Sequence, residues 1–302
     1  MKSSPTSAGL QGVHAAAVTP LGSNGDINFG GVFELIDYLC NARVSGIALF
    51  TACGEYPALG VEDRARVTYL AVKRSRVPVL AGVGSATFDH SLELAREARS
   101  AGVAALLLPP PMYYQNGYQY EADDLYEYYS QFAAQLGAGA DIFVSGSIDR
   151  EMACRLLGSG RFAGIVDESG CTESLDGLCG RAGVSRVLAG DDQLLVSARS
   201  AGLGVVSAAA CAAPELTMAL NAAICAGDGR ETARLEAMRQ ELLVWLNRFP
   251  LPVGVKTAVA VRGIRTGPLP IPLSPGKQQC LEQFREWFKG WLPANKKLAS
   301  HA

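Results

Sequence analysis

Ala101-Gly102-Val103-Ala104-Ala105-Leu106-Leu107-Leu108 is the stretch whose reading decides the fold. A run of apolar residues of strand length, with none of the alternation of a half-exposed strand, follows directly on a glycine that closes a helical pattern. Glycine enters the left-handed conformation at a helix end without steric cost, and an unalternating strand is one buried on both faces, as in a parallel sheet. The same succession recurs where a helical pattern ends near Val44-Ser45-Gly46 before Ile47 to Phe50, and at Ala201-Gly202 before Leu203 to Ser207. Outward from these lie further apolar runs at Val13 to Val18, Pro78 to Gly82, Asp141 to Val144, Phe162 to Val166 and Ser185 to Ala189. Eight strand–helix units in roughly 200 to 250 residues predict an α/β fold, a (β/α)8 TIM barrel, over residues 9–213.

Beyond Pro214 the strand patterns stop. Ala222 to Trp245, Val255 to Arg262 and Lys277 to Trp291 read as helices, the last two separated by the proline-rich Gly267 to Pro272, so a C-terminal helical extension is expected over 214–294. Residues 1–8 and 295–302 read as flexible termini. With a net charge of −2 there is no electrostatic reason to expect nucleic acid or an anionic membrane as partner. No apolar run approaches the ~20 residues that span a bilayer, and the start lacks a signal-peptide core, so a cytoplasmic location is expected. The eight cysteines show no Cys-x-x-Cys spacing and only His14, His90 and His301 supply imidazoles, so the reading assigns no disulfide framework, no metal and no cofactor.

In such barrels chemistry sits at the carboxyl ends of the strands. That rule nominates Thr51-Ala52-Cys53-Gly54-Glu55-Tyr56 after the second strand, Pro109 to Tyr114 after the fourth and Phe143 to Ser147 after the fifth. After the sixth comes Val166-Asp167-Glu168-Ser169-Gly170, after the seventh Gly190-Asp191-Asp192, and at the end of the eighth Ser207. Cys53 is the one nucleophile at the mouth, but no histidine lies near it in sequence to act as base. The acidic loops at 167–168 and 191–192 read as caps or solvated turns rather than a cation site. Val166, which ends the sixth strand, can do no acid–base or nucleophilic chemistry.

Several of these segments carry a resemblance. Ala17-Val18-Thr19-Pro20 with Asn24-Gly25, Gly54-Glu55 with Glu62-Asp63-Arg64, Pro78 to Gly84, Pro111-x-Tyr113, Gly164-Ile165, Gly190-Asp191-Asp192, and Pro252-Val253 to Lys256 resemble, in order, the dihydrodipicolinate synthase / N-acetylneuraminate lyase family. The resemblance implies class I aldolase chemistry, in which a sixth-strand lysine forms an imine with pyruvate or another 2-oxo acid. A fifth-strand tyrosine moves protons, and a hydroxyl pair in the second loop positions that tyrosine and binds the substrate carboxylate. It also implies a homo-oligomer, tetramer or dimer, with Tyr113 at the position that reaches a neighbour's site.

Carried onto this chain, the lysine position falls on Val166, the tyrosine position on Phe143, and the hydroxyl pair on Ala52 and Cys53. The substrate-binding candidates are therefore Thr51, Ala52, Cys53, Tyr113, Val166, Glu168 and Ser207. The leading expectation is a family member without the imine reaction, either binding a small 2-oxo acid or running an altered lyase chemistry. The alternatives are an active 2-oxo acid aldolase that uses another lysine, such as Lys73 or Lys256, and a regulatory or structural subunit. Lys256 and Glu55 are read as structural.

Overall fold

Eight short parallel strands close on themselves in the computed structural model, which describes residues 10–111, 121–146, 148–168, 177, 187–189 and 204–296. They are β1 (Gly12–Ala16), β2 (Gly46–Leu49), β3 (Val79–Gly82), β4 (Ala105–Leu108), β5 (Ile142–Gly146), β6 (Gly164–Asp167), β7 (Val187–Ala189) and β8 (Gly204–Ser207). β1 pairs with both β2 and β8, which completes the ring and leaves no open edge. Helices α1 (Phe29–Asn41), α2 (Val61–Arg74), α3 (Phe88–Ala101), α4 (Ala122–Leu136) and α5 (Arg150–Gly158) follow the first five strands in turn. The fold is the (β/α)8 barrel that the apolar runs predict.

The opening stretch behaves as read. α3 is capped by Gly102 at φ 91°, whose N–H reaches the carbonyls of Ala98 and Arg99. Gly46 does a different job from the one its sequence position suggests. α1 ends at Asn41, and Gly46 instead begins β2, where a side chain would meet His14 Nδ1 at 2.3 Å. The glycine there makes room for a buried imidazole inside the barrel.

Register fixes which residues face inward. Leu107 pairs with Phe143, Ser145 with Val166, Val166 with Leu188, and Val206 with His14. Alternation along each strand then puts Phe143 and Ser145 on one face of β5 and Gly164 and Val166 on the matching face of β6. The intervening residues, such as Leu106, Val144 and Ile165, turn towards the helices and are buried there.

After β8 come a short helix, Ala208–Ala212, and then Pro214–Ala226, Gly229–Leu246, Val253–Val261 and Pro275–Lys296. The helix Pro214–Ala226, at which the expected extension begins, also packs against β1 and so serves the ring as well. The single helix expected over Ala222 to Trp245 is two. Gly227 at φ 70° ends the first, and the Asp228 carboxylate caps the second by accepting from Glu231 N–H. Trp245 and Phe249 pack against Phe284 and Trp287, and these continue into Phe288 and Trp291, an aromatic cluster that joins the second of these helices to the last. Among the described residues, no helix is long and apolar enough to cross a membrane.

Among the polar contacts that tie the extension to the barrel, one is a fully buried ion pair. Lys256, in the helix Val253–Val261, is fully buried and donates from Nζ to Glu55 Oε2 at 2.8 Å, with Glu55 itself 6 % exposed. Removing one partner of a buried pair strands the other charge in a low-dielectric site, at a cost of about 3–5 kcal/mol. Lys256→Met should therefore lower the urea-unfolding free energy by about that much, and the double variant Glu55→Gln/Lys256→Met should recover most of it. A single-variant loss below about 1 kcal/mol would show the pair to be dispensable.

Candidate functional site

The loop that follows β2 forms one wall of the site, and four interactions hold it. Phe50 leaves the strand at φ 54° and Glu55 stands at φ 56°, left-handed conformations that non-glycine residues adopt only under constraint. Thr19 Oγ1 donates to the Gly54 carbonyl at 2.7 Å, and Lys256 holds Glu55. The Arg64 guanidinium, 1 % exposed, lies over the rings of Phe50 and Tyr56 at 5.2 and 5.4 Å. Its terminal nitrogens donate to the carbonyls of Gly84 and Gly82 at 2.7 Å each. Burial pulls the Arg64 pKa down to about 10, which leaves the group charged at neutral pH. Gly82 has to be glycine, since a Cβ would come within 2.0 Å of the Phe50 carbonyl oxygen.

These constraints shape a cavity of about 570 Å³ at the carboxyl ends of the strands, within the usual range for small-molecule sites. Its floor is made by the inward residues Ala16, Gly82, Leu107, Ser145, Val166 and Val206. Phe50, Thr51, Ala52, Cys53 and Tyr56 form one wall, Pro109 and Pro110 another, and Glu168 stands at the end of β6. Leu251, 57 % exposed and contributed by the extension, lies at the rim.

Of the residues nominated from the sequence, the structure brings Thr51, Ala52, Cys53, Val166 and Glu168 together on this cavity. Phe143 is not on its wall. It faces inward two residues earlier on β5, is 1 % exposed, and lies beneath Ser145, the residue paired with Val166. Ser207 is also off the wall. It is fully buried and caps the helix Ala208–Ala212, its Oγ accepting from Ala210 N–H at 3.1 Å. Asp167 is buried on the strand face opposite to that of Val166. Tyr113, Asp191 and Asp192 lie outside the described residues.

Ser145 and Tyr56 lie in segments that the strand-end rule nominates but are not among the substrate-binding candidates drawn from the sequence, and both are polar residues of the wall. The apolar run on β5 stops at Val144, which made Ser145 look like loop; the period of two from Phe143 was the signal that puts it on the inner face. Tyr56 follows the constrained Glu55, and nothing in its local sequence marks its direction.

Chemically, the described wall offers two small hydroxyls, a thiol, a phenol and one carboxylate, with no amine. Such a surface can orient a small molecule by hydrogen bonds but cannot form an imine from its own wall. Burial raises the Tyr56 phenol above its ordinary pKa; the positive charge of Arg64 opposes that rise and the negative charge of Glu168 adds to it. A neutral side chain at 168 removes one cause that disfavours the phenolate. Glu168→Gln should accordingly move the Tyr56 titration midpoint down, and Arg64→Met should move it up, as read by NMR of ring-labelled tyrosine with Tyr56→Phe as the assignment control. A midpoint unmoved by Glu168→Gln would place that carboxylate away from the phenol.

Comparison with known proteins agrees with this architecture. The model of the dihydrodipicolinate synthetase family matches residues 9–290. The 4-hydroxy-tetrahydrodipicolinate synthase of Bartonella bacilliformis is 30% identical over 287 residues, covering 90% of this chain and 95% of that protein. The solved dihydrodipicolinate synthase from Bacillus anthracis superposes with a TM-score of 0.83 at 25% identity, covering 92% of this chain and 98% of that one. Ruminococcus gnavus sialic acid aldolase, 21% identical, shares the fold at a TM-score of 0.84, over 95% of this chain and 99% of that one. A catalytic lysine mutant of the same aldolase gives the same TM-score and identity, covering 95% of this chain and 98% of that one. The matched span takes in every strand of the barrel and most of the last helix, and the chain belongs to the dihydrodipicolinate synthetase family.

Proposed function

We propose that this chain is a member of the family that binds, or acts on, a small molecule in the cavity over Val166 without forming a lysine imine. The observation that carries the reading is Val166 itself: a hydrocarbon side chain, 1 % exposed, on the cavity floor at the end of β6. That is the position the family resemblance gives to the imine-forming amine. Ser145, its register partner, is the geometric counterpart of the family's tyrosine in this reading, in place of Phe143.

The lysines whose side chains are described support it. Lys73 is exposed on α2, over the ring of Tyr69, and Lys277 and Lys289 lie on the exposed face of the last helix. Lys256 is buried but committed to Glu55. Residues 112–120, 169–186 and 190–203, which adjoin the strand ends, contain no lysine in their sequence. The sialic acid aldolase carrying a catalytic lysine mutation keeps its fold, so the scaffold does not need that side chain to close. The homo-oligomeric assembly implied by the resemblance belongs to the same proposal, and sedimentation velocity tests it.

Treatment with pyruvate and borohydride should leave the mass of the wild-type protein unchanged, whereas Val166→Lys should acquire one reductively trapped pyruvyl group. A stable adduct on the wild-type chain would refute the reading, and peptide mapping would then name the lysine responsible.

A further inference from the structure

Much of the hydrocarbon on the cavity wall is gathered along one side. The Arg64 guanidinium lies over the rings of both Phe50 and Tyr56, which sets the two aromatic residues next to each other on that side. A Cβ on Gly84 would stand 2.3 Å from Pro109 Cγ and 3.1 Å from Tyr56 Cε2, so the proline ring meets the edge of the phenol across that glycine. A Cβ on Gly146 would stand 3.2 Å from Pro110 Cδ, which carries the row on to the end of β5. Phe50, Tyr56, Pro109 and Pro110 therefore form an apolar strip over the ends of β2 to β5, and all four line the cavity. Flat aromatic and proline rings of this kind pack well against another ring or a branched alkyl group.

Leu251 adds hydrocarbon at the rim from outside the barrel, and its backbone is firmly held. Val253 N–H donates to the Pro250 carbonyl at 2.9 Å and Lys256 N–H to the Pro252 carbonyl at 2.8 Å. Pro252 and Val253 are buried, and the Lys256 side chain is fixed on Glu55. The leucine is thus presented to the mouth of the cavity in a set position, with much of its side chain in water, and it gains when a ligand's hydrocarbon covers it. Size agrees with this. Cavities of about 570 Å³ ordinarily bury a ligand much larger than a three-carbon acid, which would leave most of the space to water.

We propose that the ligand of this cavity carries an aromatic or branched aliphatic substituent, seated against Leu251 and the strip formed by Phe50, Tyr56, Pro109 and Pro110, and that these residues select it over the smallest compound with the same head group. The inference rests on the reading above for the place of binding and adds to it the apolar part of the ligand. It concerns the substituent alone, whichever head group the polar residues of the wall receive. Leu251 and Pro110 are specificity-determining positions in this assignment, since both line the cavity and neither is buried in the core.

The test uses two pairs of probes that differ by one phenyl ring, phenylpyruvate against pyruvate and phenylacetone against acetone, by calorimetry and ligand-observed NMR at pH 7 with the full chain. In at least one pair the aromatic member should bind saturably, about tenfold or more tightly than its small partner. Leu251→Ser and Pro110→Ser should each weaken that aromatic member about fivefold and leave the small partner as it was. Because Leu251 is exposed, its replacement should keep the melting temperature within about 2 °C of wild type, so the lost affinity reads a ligand contact and not unfolding. Equal affinities within both pairs, no saturable aromatic probe, or an affinity unmoved in both variants would overturn the proposal. A Leu251→Ser variant with unaltered affinity and a changed sedimentation coefficient would overturn the role of the leucine by assigning it to contact between copies of the chain. Borohydride added to the phenylpyruvate complex separates the two readings. A trapped adduct would refute the non-imine reading and leave the ring preference standing, whereas equal affinities without an adduct would overturn this inference alone.

Discussion

The buried ion pair between Glu55 and Lys256 is the constraint on which the site depends. Glu55 sits in a left-handed conformation between two short 3-10 turns, a geometry that a solvent-exposed loop would not hold unaided. Its carboxylate is fixed by an ammonium 201 residues further along the chain. Flanking it, Thr19 secures Gly54, and the rings of Phe50 and Tyr56 cover Arg64. The result is a rigid wall made of a loop, in which Thr51, Ala52 and Cys53 have defined positions without belonging to any strand or long helix. Rigid placement of this kind is what a binding surface needs, since a loop ordered only by its ligand would weaken binding by the entropy of ordering.

That arrangement separates the fold from the chemistry. Closure of the barrel is secured by the outward-facing Val, Leu and Ile residues and by close approaches such as Gly46 against His14 and Gly82 against the Phe50 carbonyl. None of these involves the side chain at 166. A valine there fills the floor with hydrocarbon and leaves the register intact, Val166 remaining opposite Ser145 and Leu188. Fold-level likeness to synthases and aldolases is therefore compatible with different chemistry in the cavity, because fold and reaction rest on different atoms.

The fold was legible because its signals are local and repeated. A glycine after a helical pattern and an unalternating apolar run, as at Gly102 to Leu108, need no partner to be read. The site was less so. Val166, Ala52, Cys53, Thr51 and Glu168 could be placed by the strand-end rule; Ser145 fell in a nominated segment but was read as loop, because the end of an apolar run is not the end of a strand. Phe143 was placed at the site as the family's tyrosine position, carried over by sequence order, whereas inward alternation puts its ring one layer down. Ser207 illustrates a second ambiguity, since a serine at a strand's carboxyl end can face a ligand or cap the next helix, and only three-dimensional neighbours decide. Gly227-Asp228 is a stop and a start inside one continuous helical pattern, and hydrophobic periodicity alone does not register it.

Leu251 gives the cavity a property that the barrel alone would lack. It stands between Pro250 and Pro252, two residues whose rings fix their own backbone torsions, and presents a leucine half in water at the rim. Among the described residues, the rim thus carries hydrocarbon at Leu251 while the wall holds the hydroxyls of Thr51 and Ser145. A solute that passes over this side chain trades part of its hydration for contact with hydrocarbon. The cavity is consequently built by two parts of the chain, the ends of the barrel strands and a segment that follows the barrel.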